Sequence, residues 1–215
     1  MMIRNNKGFG SREILTMSVV CLILAACLLA FSVRNSNQEK YKVLEYNARL
    51  FAINATTYQM ENNNNAVYMI ELLDNELFAR VKNPFGGEDY CDILESKVEY
   101  QDDKKYVTLR CGEYLIDHQH IAAEKYEIYK VGAWMEEKPE GEVEEITAYN
   151  YKMNNKDGFD IVYNDTMFLY AFNKLMGQNY QNISDIPSDY QVYSKTLYRT
   201  KVLVDVIESS NKGEE

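Results

Sequence analysis

The feature that most constrains this chain is the run Ile14 to Val33, 20 residues without a charged side chain. As a helix rising 1.5 Å per residue, it would span about 30 Å, the hydrocarbon thickness of a bilayer. Arg4, Lys7 and Arg12 precede it. By the positive-inside rule the N-terminus therefore stays cytoplasmic and the bulk of the chain faces outward, with Arg34 the lone exception. A buried core helix is the other reading of an apolar run, but one placed behind basic residues at a chain start reads as a membrane or export segment.

Three export readings compete. A plain signal peptide needs only the apolar run and a cleavage site. A lipoprotein signal finds its lipobox at Leu24-Ala25-Ala26-Cys27, although Leu28-Leu29-Ala30-Phe31 stays apolar where a lipid tether should turn polar. The third rests on Lys7-Gly8-Phe9-Gly10-Ser11-Arg12-Glu13, which leads directly into the run. This heptad resembles the type IV prepilin signature: a basic residue and glycine, then cleavage, an aromatic first mature residue and a glutamate at the fifth. Counted from Phe9, Glu13 is fifth. The resemblance implies a membrane prepilin peptidase that cuts between Gly8 and Phe9 and often methylates the new amine. It also implies that Glu13 pairs with the N-terminal ammonium of a neighbouring subunit. A carboxylate at the edge of a bilayer-length helix is costly, and pairing is what makes its burial tolerable.

Beyond the run, Leu44, Ala48, Phe51, Ala55 and Tyr58 recur at steps of four and three, one face of a helix. Proline is absent before Pro84. One helix of about 50 residues is therefore expected, with a membrane half and an amphipathic half that ends near Glu61-Asn62-Asn63-Asn64-Asn65. The resemblance would make this the pilin spine, although the family usually places a proline in the membrane half.

Next, Asn65 can cap a helix from Ala66 to Val81 with Val67, Ile70, Leu73, Leu77 and Val81 on one stripe, stopped by Asn83-Pro84-Phe85-Gly86-Gly87. Lys97–Tyr100 and Tyr106–Arg110 read as strands joined through Gln101–Lys105. Cys91 precedes this hairpin and Cys111 ends it, with no C-x-x-C pair in the chain. In an exported domain two such cysteines favour a disulfide over a metal site, two packed thiols being the other reading. Spine, short helix, N-P-x-G, cysteine, hairpin and cysteine also follow the order of small exported prepilin-like proteins.

Residues 119–215 read as an added module. Tyr126–Val131 is strand-like, and Glu136, Glu137, Glu140, Glu142, Glu144 and Glu145 form a solvated loop and strand edge. Asn154 to Gly158 is a turn with Asp157-Gly158 suited to the left-handed position. Asp165 caps a helix over Thr166 to Met176 closed by Gly177. Gln191–Tyr198 and Lys201–Ile207 are two closing strands.

The expected fold class is α+β: a long N-terminal pilin-like helix packed on a small antiparallel β head, with an added C-terminal β-rich module. Residues 1–8 form the leader, 9–33 the transmembrane half, 34–118 the head and 119–215 the module. A formal net charge of −10, made more negative by loss of residues 1 to 8, repels phosphate backbones, so no nucleic-acid partner is expected. His118 and His120 flank Gln119 beside Asp117 without a third strong ligand, so no metal is expected. No nucleophile elbow, Walker loop, H-E-x-x-H or paired-carboxylate motif is present, and neither catalytic residues nor a cofactor are expected. The lone Trp134 reads as a core residue or an exposed contact.

The function expected is that of a pilin or pseudopilin subunit, the length suiting a minor one, of a type IV pilus, competence or type II secretion-like filament. Its partners would be the prepilin peptidase, other pilin subunits, a membrane assembly platform and the lipid bilayer. It would be a single-pass membrane protein with its C-terminal domain outside the cytoplasm. The rival is a surface lipoprotein acylated at Cys27, or a signal-anchored binding module active through residues 119–215.

Overall fold

The computed structural model describes residues 11–62, 64–87, 90–102, 104–118, 125–154, 156–158 and 162–208. The protein is α+β, with one long N-terminal helix and an antiparallel sheet. It divides after Tyr41 into two compact units, and helix α1, Ser11–Asn62, runs through both.

From Leu15 to Val33, within the first unit, α1 is exposed and largely apolar: Leu22 is 70 % and Phe31 72 % accessible. This stretch is long and apolar enough to cross a membrane, compatible with a single-pass anchor. In the second unit α1 changes character. Leu44, Ala48, Phe51 and Ala55 are fully buried and Tyr58 half-buried, the stripe expected from their spacing.

The remaining elements follow as β1 (Ala66–Tyr68), α2 (Met69–Asp74), β2 (Lys97–Gln101), β3 (Lys104–Cys111), β4 (Tyr114–His118), β5 (Lys125–Val131), β6 (Val143–Met153), β7 (Lys156–Asp157), β8 (Val162–Tyr163), α3 (Asp165–Met176) and β9 (Gln191–Glu208). The strands form one antiparallel sheet ordered β1-β2-β3-β4-β5-β9-β6-β7, with β8 also on β6.

Register sorts the side chains of the central strands onto two faces, because successive residues of a strand point to opposite sides. Val98 opposes Val107, Leu109 opposes Ile116, and Ile116 opposes Ile128. All five are fully buried. The same face carries Tyr100, whose hydroxyl lies 3.5 Å from Thr56 Oγ1, and Tyr126, whose ring lies under the Arg49 guanidinium. Both partners belong to α1, so the amphipathic half of the helix covers this face. The other face carries the row Lys97, Thr108, Asp117 and Glu127. One face is apolar, and the other mixes charged groups with Leu115 and Ile146.

Four local expectations are corrected. The helix expected over 66–81 is a strand followed by six helical residues. Val67 extends to pair with Val98, burying itself and Tyr68, and the Tyr68 N–H donates to Glu71 Oε2 at 2.7 Å to start α2. Asn75 Nδ2 then donates to the Glu71 carbonyl, and Glu76 turns left-handed at φ 57°, ending it. Asn83-Pro84-Phe85-Gly86-Gly87, expected to stop that helix, lies well beyond its end and forms a turn of its own, in which Asn83 Oδ1 accepts from Phe85 N and Asn83 Nδ2 donates to the Gly86 carbonyl.

Among the described residues of the β6–β7 turn, Asn154 is left-handed, not Asp157 or Gly158. Asp157 is already in β7, and Gly158 donates its N–H to the Tyr151 carbonyl. The cap of α3 is Asn164 rather than Asp165: Asn164 Oδ1 accepts from Met167 N at 3.0 Å. Gly177 closes that helix at φ 63° as expected. Finally, the two closing strands are one, β9, which runs unbroken for 18 residues. Its first part pairs with β6 and its last part with β5. The boundary placed after residue 118 falls between β4 and β5, which pair with each other.

Around α3 a second core forms. Phe168 and Phe172 are fully buried against Tyr151 and Ile186, with Phe172 edge-on to both Tyr151 and Tyr190.

Candidate functional site

Of the residues singled out from sequence, Gly8 and Phe9 lie outside the described residues, as does His120. Glu13 lies in the first turn of α1. Cys27 sits mid-helix and exposed in the apolar stretch. His118 ends β4. Among the described residues no group of three or more His, Cys, Asp or Glu side chains could hold a metal ion.

Cys91 and Cys111 form a disulfide, with Cα atoms 4.1 Å apart. The bond joins the segment before β2 to the end of β3, and backbone hydrogen bonds extend the joint: Cys91 N to the Val81 carbonyl and Asp92 N to the Arg110 carbonyl, both 2.8 Å. Asp92 Oδ1 then accepts from Leu94 N and Glu95 N, folding a tight turn. Ser96 Oγ bonds back to the Asp92 carbonyl and accepts from Arg110 N. The disulfide and this turn hold Glu95 in place over the charged face of the sheet.

Glu95 is buried, and its carboxylate is the hub of that face. Oε1 accepts from Arg110 Nη1 and, at 3.0 Å, from Trp134 Nε1. Oε2 accepts from Arg199 Nη1 at 2.5 Å. Arg199, with only 3 % of its side chain accessible, also donates Nε to Glu144 Oε2 at 2.8 Å and stacks over the Trp134 ring at 4.2 Å. Glu144, expected on a solvated edge, thus anchors a buried guanidinium. Trp134 is half-buried and belongs to this polar hub rather than to the apolar core.

Further along the same face, Lys201 Nζ meets Asp117 Oδ2 at 3.2 Å and lies 4.3 Å from the Tyr129 ring centroid. The Tyr129 hydroxyl donates to Glu127 at 2.5 Å. Burial and that carboxylate push the Tyr129 phenol well above its ordinary value. Lys97 pairs with Glu99 at 2.9 Å. On the α3 side, Asn164 Nδ2 donates to the Tyr68 hydroxyl at 2.6 Å, and burial raises the Tyr68 phenol despite that bond.

Of these groups Glu95, Asp117, Trp134, Glu144, Arg199 and Lys201 line a cavity of about 380 Å³. Its walls come from β2, β3, β4, β6 and β9, with Trp134 and Asn164 at its sides. Sequence reasoning missed the hub because Glu95 and Arg199 are 104 residues apart. The one available signal was an arginine set in the β-like run Thr196-Leu197-Tyr198-Arg199-Thr200.

Compared with protein-family models, curated proteins and solved structures, the chain matches none.

Proposed function

We propose that this protein is a type IV pilin-like or pseudopilin subunit, inserted in the membrane, cut by a prepilin peptidase between Gly8 and Phe9, and assembled into a filament. The observation that carries this reading is the change of character along α1. From Leu15 to Val33 its large apolar side chains are exposed, whereas from Leu44 to Ala55 one stripe is fully buried under a β sheet. A helix that only anchored a domain would have no need to continue as that domain's core element. A helix that stores its apolar half in lipid and then in a filament core needs a head fixed to its other half.

In this reading Glu13 meets the Phe9 ammonium of a neighbour, and the two charges enter the filament as a pair. The head faces away from the cytoplasm, where the Cys91–Cys111 disulfide can persist. The lipoprotein alternative would remove residues 1–26 and leave acylated Cys27 as the N-terminus.

Intact-mass analysis of the membrane fraction tests the processing step: the expected N-terminus is Phe9, with or without a methyl group. An acylated Cys27 N-terminus would overturn the reading. Glu13→Val tests assembly. Valine suits a bilayer better than glutamate, so cleavage and insertion should persist while the sheared surface fraction loses the subunit. Normal surface assembly of Glu13→Val would remove the physical reason for the pairing.

A further inference from the structure

The two faces of the central strands differ in a way that stability alone does not explain. The face under α1 is apolar and fully buried. The opposite face gathers Glu95, Lys97, Glu99, Asp117, Arg199 and Lys201 around a cavity. Buried and half-buried ion pairs seldom stabilise a fold more than apolar groups of the same volume. Such a set of charges, held on strands around an open volume, suits recognition. The volume is at the lower end of the range for small-molecule sites, about 300 to 1,000 Å³.

We propose that this cavity binds a neutral saccharide of one or two rings. The inference stands on the cavity alone and does not depend on the reading of α1.

Charge decides the class of ligand. Each lining cation is already committed to a carboxylate: Lys97 to Glu99, Lys201 to Asp117, and Arg199 to both Glu95 and Glu144. An anionic ligand would have to displace one of these acids. A cationic ligand would compete with Arg199 for the Trp134 ring. A neutral ligand leaves every pair intact and still finds hydrogen bonds. A bonded carboxylate keeps spare lone pairs and a bonded ammonium keeps spare N–H groups. A sugar hydroxyl, both donor and acceptor, is satisfied by an ion pair that presents both at fixed spacing. Gln101, Thr108 and Asn164 add neutral partners, and Tyr106 offers aromatic surface to the C–H face of a ring.

Sheet topology argues against a peptide. Strands β2, β3 and β4, which form one side of the wall, each have a neighbour on both sides. Their backbone groups are engaged in the sheet, so an extended chain finds no edge to join here.

Trp134 is the only tryptophan of the chain and lines this cavity, so its fluorescence is the probe. The full-length protein in detergent micelles is titrated with cellobiose, maltose and diacetylchitobiose, beside digalacturonate and trialanine. The expected result is a saturable change in Trp134 emission with at least one neutral disaccharide, at a Kd of about 1 mM or tighter. Thr108→Phe fills the cavity without removing a charged group and should weaken that binding about tenfold or more. Should Thr108→Phe melt early, Lys97→Ala with Gln101→Ala, at the end of β2, must produce the loss instead. Silence with all three neutral sugars overturns the proposal. So does an undiminished response in the well-folded variant, or tighter binding of digalacturonate or trialanine.

Discussion

Glu95→Ala is the substitution that should hurt the head most. The wild-type carboxylate is shared by two guanidiniums and an indole N–H. Its removal leaves Arg199, with 3 % of its side chain accessible, facing only Glu144, which is itself one-third exposed. Breaking a buried pair by deleting one partner costs about 3–5 kcal/mol, because the remaining charge stays desolvated. For a domain of this size about 4 kcal/mol corresponds to a fall in Tm of about 10 °C. The near-UV signal of the tyrosines, followed during thermal unfolding of the full chain in detergent, measures it. Two controls sharpen the test. Glu144→Gln, at the wetter end of the network, should cost about 1 kcal/mol or less. Glu95→Ala combined with Arg199→Met should cost less than Glu95→Ala alone, since no orphaned charge then remains at β9. A shift within about 2 °C for Glu95→Ala, or a double variant worse than the single, would refute the reasoning.

Reduction of the Cys91–Cys111 bond, which closes a loop of 20 residues, should lower stability by about 3 kcal/mol; two thiols in the head that alkylate without reductant would contradict it. Tyr58, Tyr68, Tyr100, Tyr126, Tyr129, Tyr151 and Tyr170 all hold their protons above the ordinary phenol value of 10.0, chiefly through burial. The unfolded chain loses those protons first. Stability should therefore be full below about pH 10 and fall as pH rises beyond it, and a denaturation midpoint unchanged from about pH 9 to about pH 11 would count against this. Gly158→Ala would place a methyl group inside the Tyr151 ring, which is fixed by Phe172 and Tyr190, so a loss of about 1–3 kcal/mol is expected in chemical denaturation.

Parts of this fold are legible in the sequence because their physics is local. The stripe Leu44, Ala48, Phe51 and Ala55 has a helical period, and nothing distant changes it. The β2–β3 hairpin is written in its own polar turn, and Gly177 needs only its left-handed φ to end α3. Val67 and Ile70 show the opposite case. Their spacing fits a helix, yet a partner strand captures Val67 in an extended form opposite Val98. The break expected after Tyr198 fails similarly. Arg199 looks too polar for a strand interior only while the carboxylates of Glu95 and Glu144 are out of sight. With both in place a buried arginine becomes the middle of a strand. The hub and cavity were invisible for that reason, as each of their members is an ordinary surface residue until the sheet brings them together.

The length of β9 also sets the order in which the head can be finished. A chain emerges N-terminus first, at about 5–20 residues per second during synthesis. Strands β5 and β6 both wait for the same partner, because Lys125 pairs with Glu208 and Lys152 with Gln191. Until residues 191–208 arrive, β5 and β6 each keep a bare edge, the kind of surface that recruits stray strands. The head therefore cannot mature half by half. Its last strand acts as a clasp, and a chain stalled or clipped ahead of Gln191 would carry two open seams rather than one missing strand.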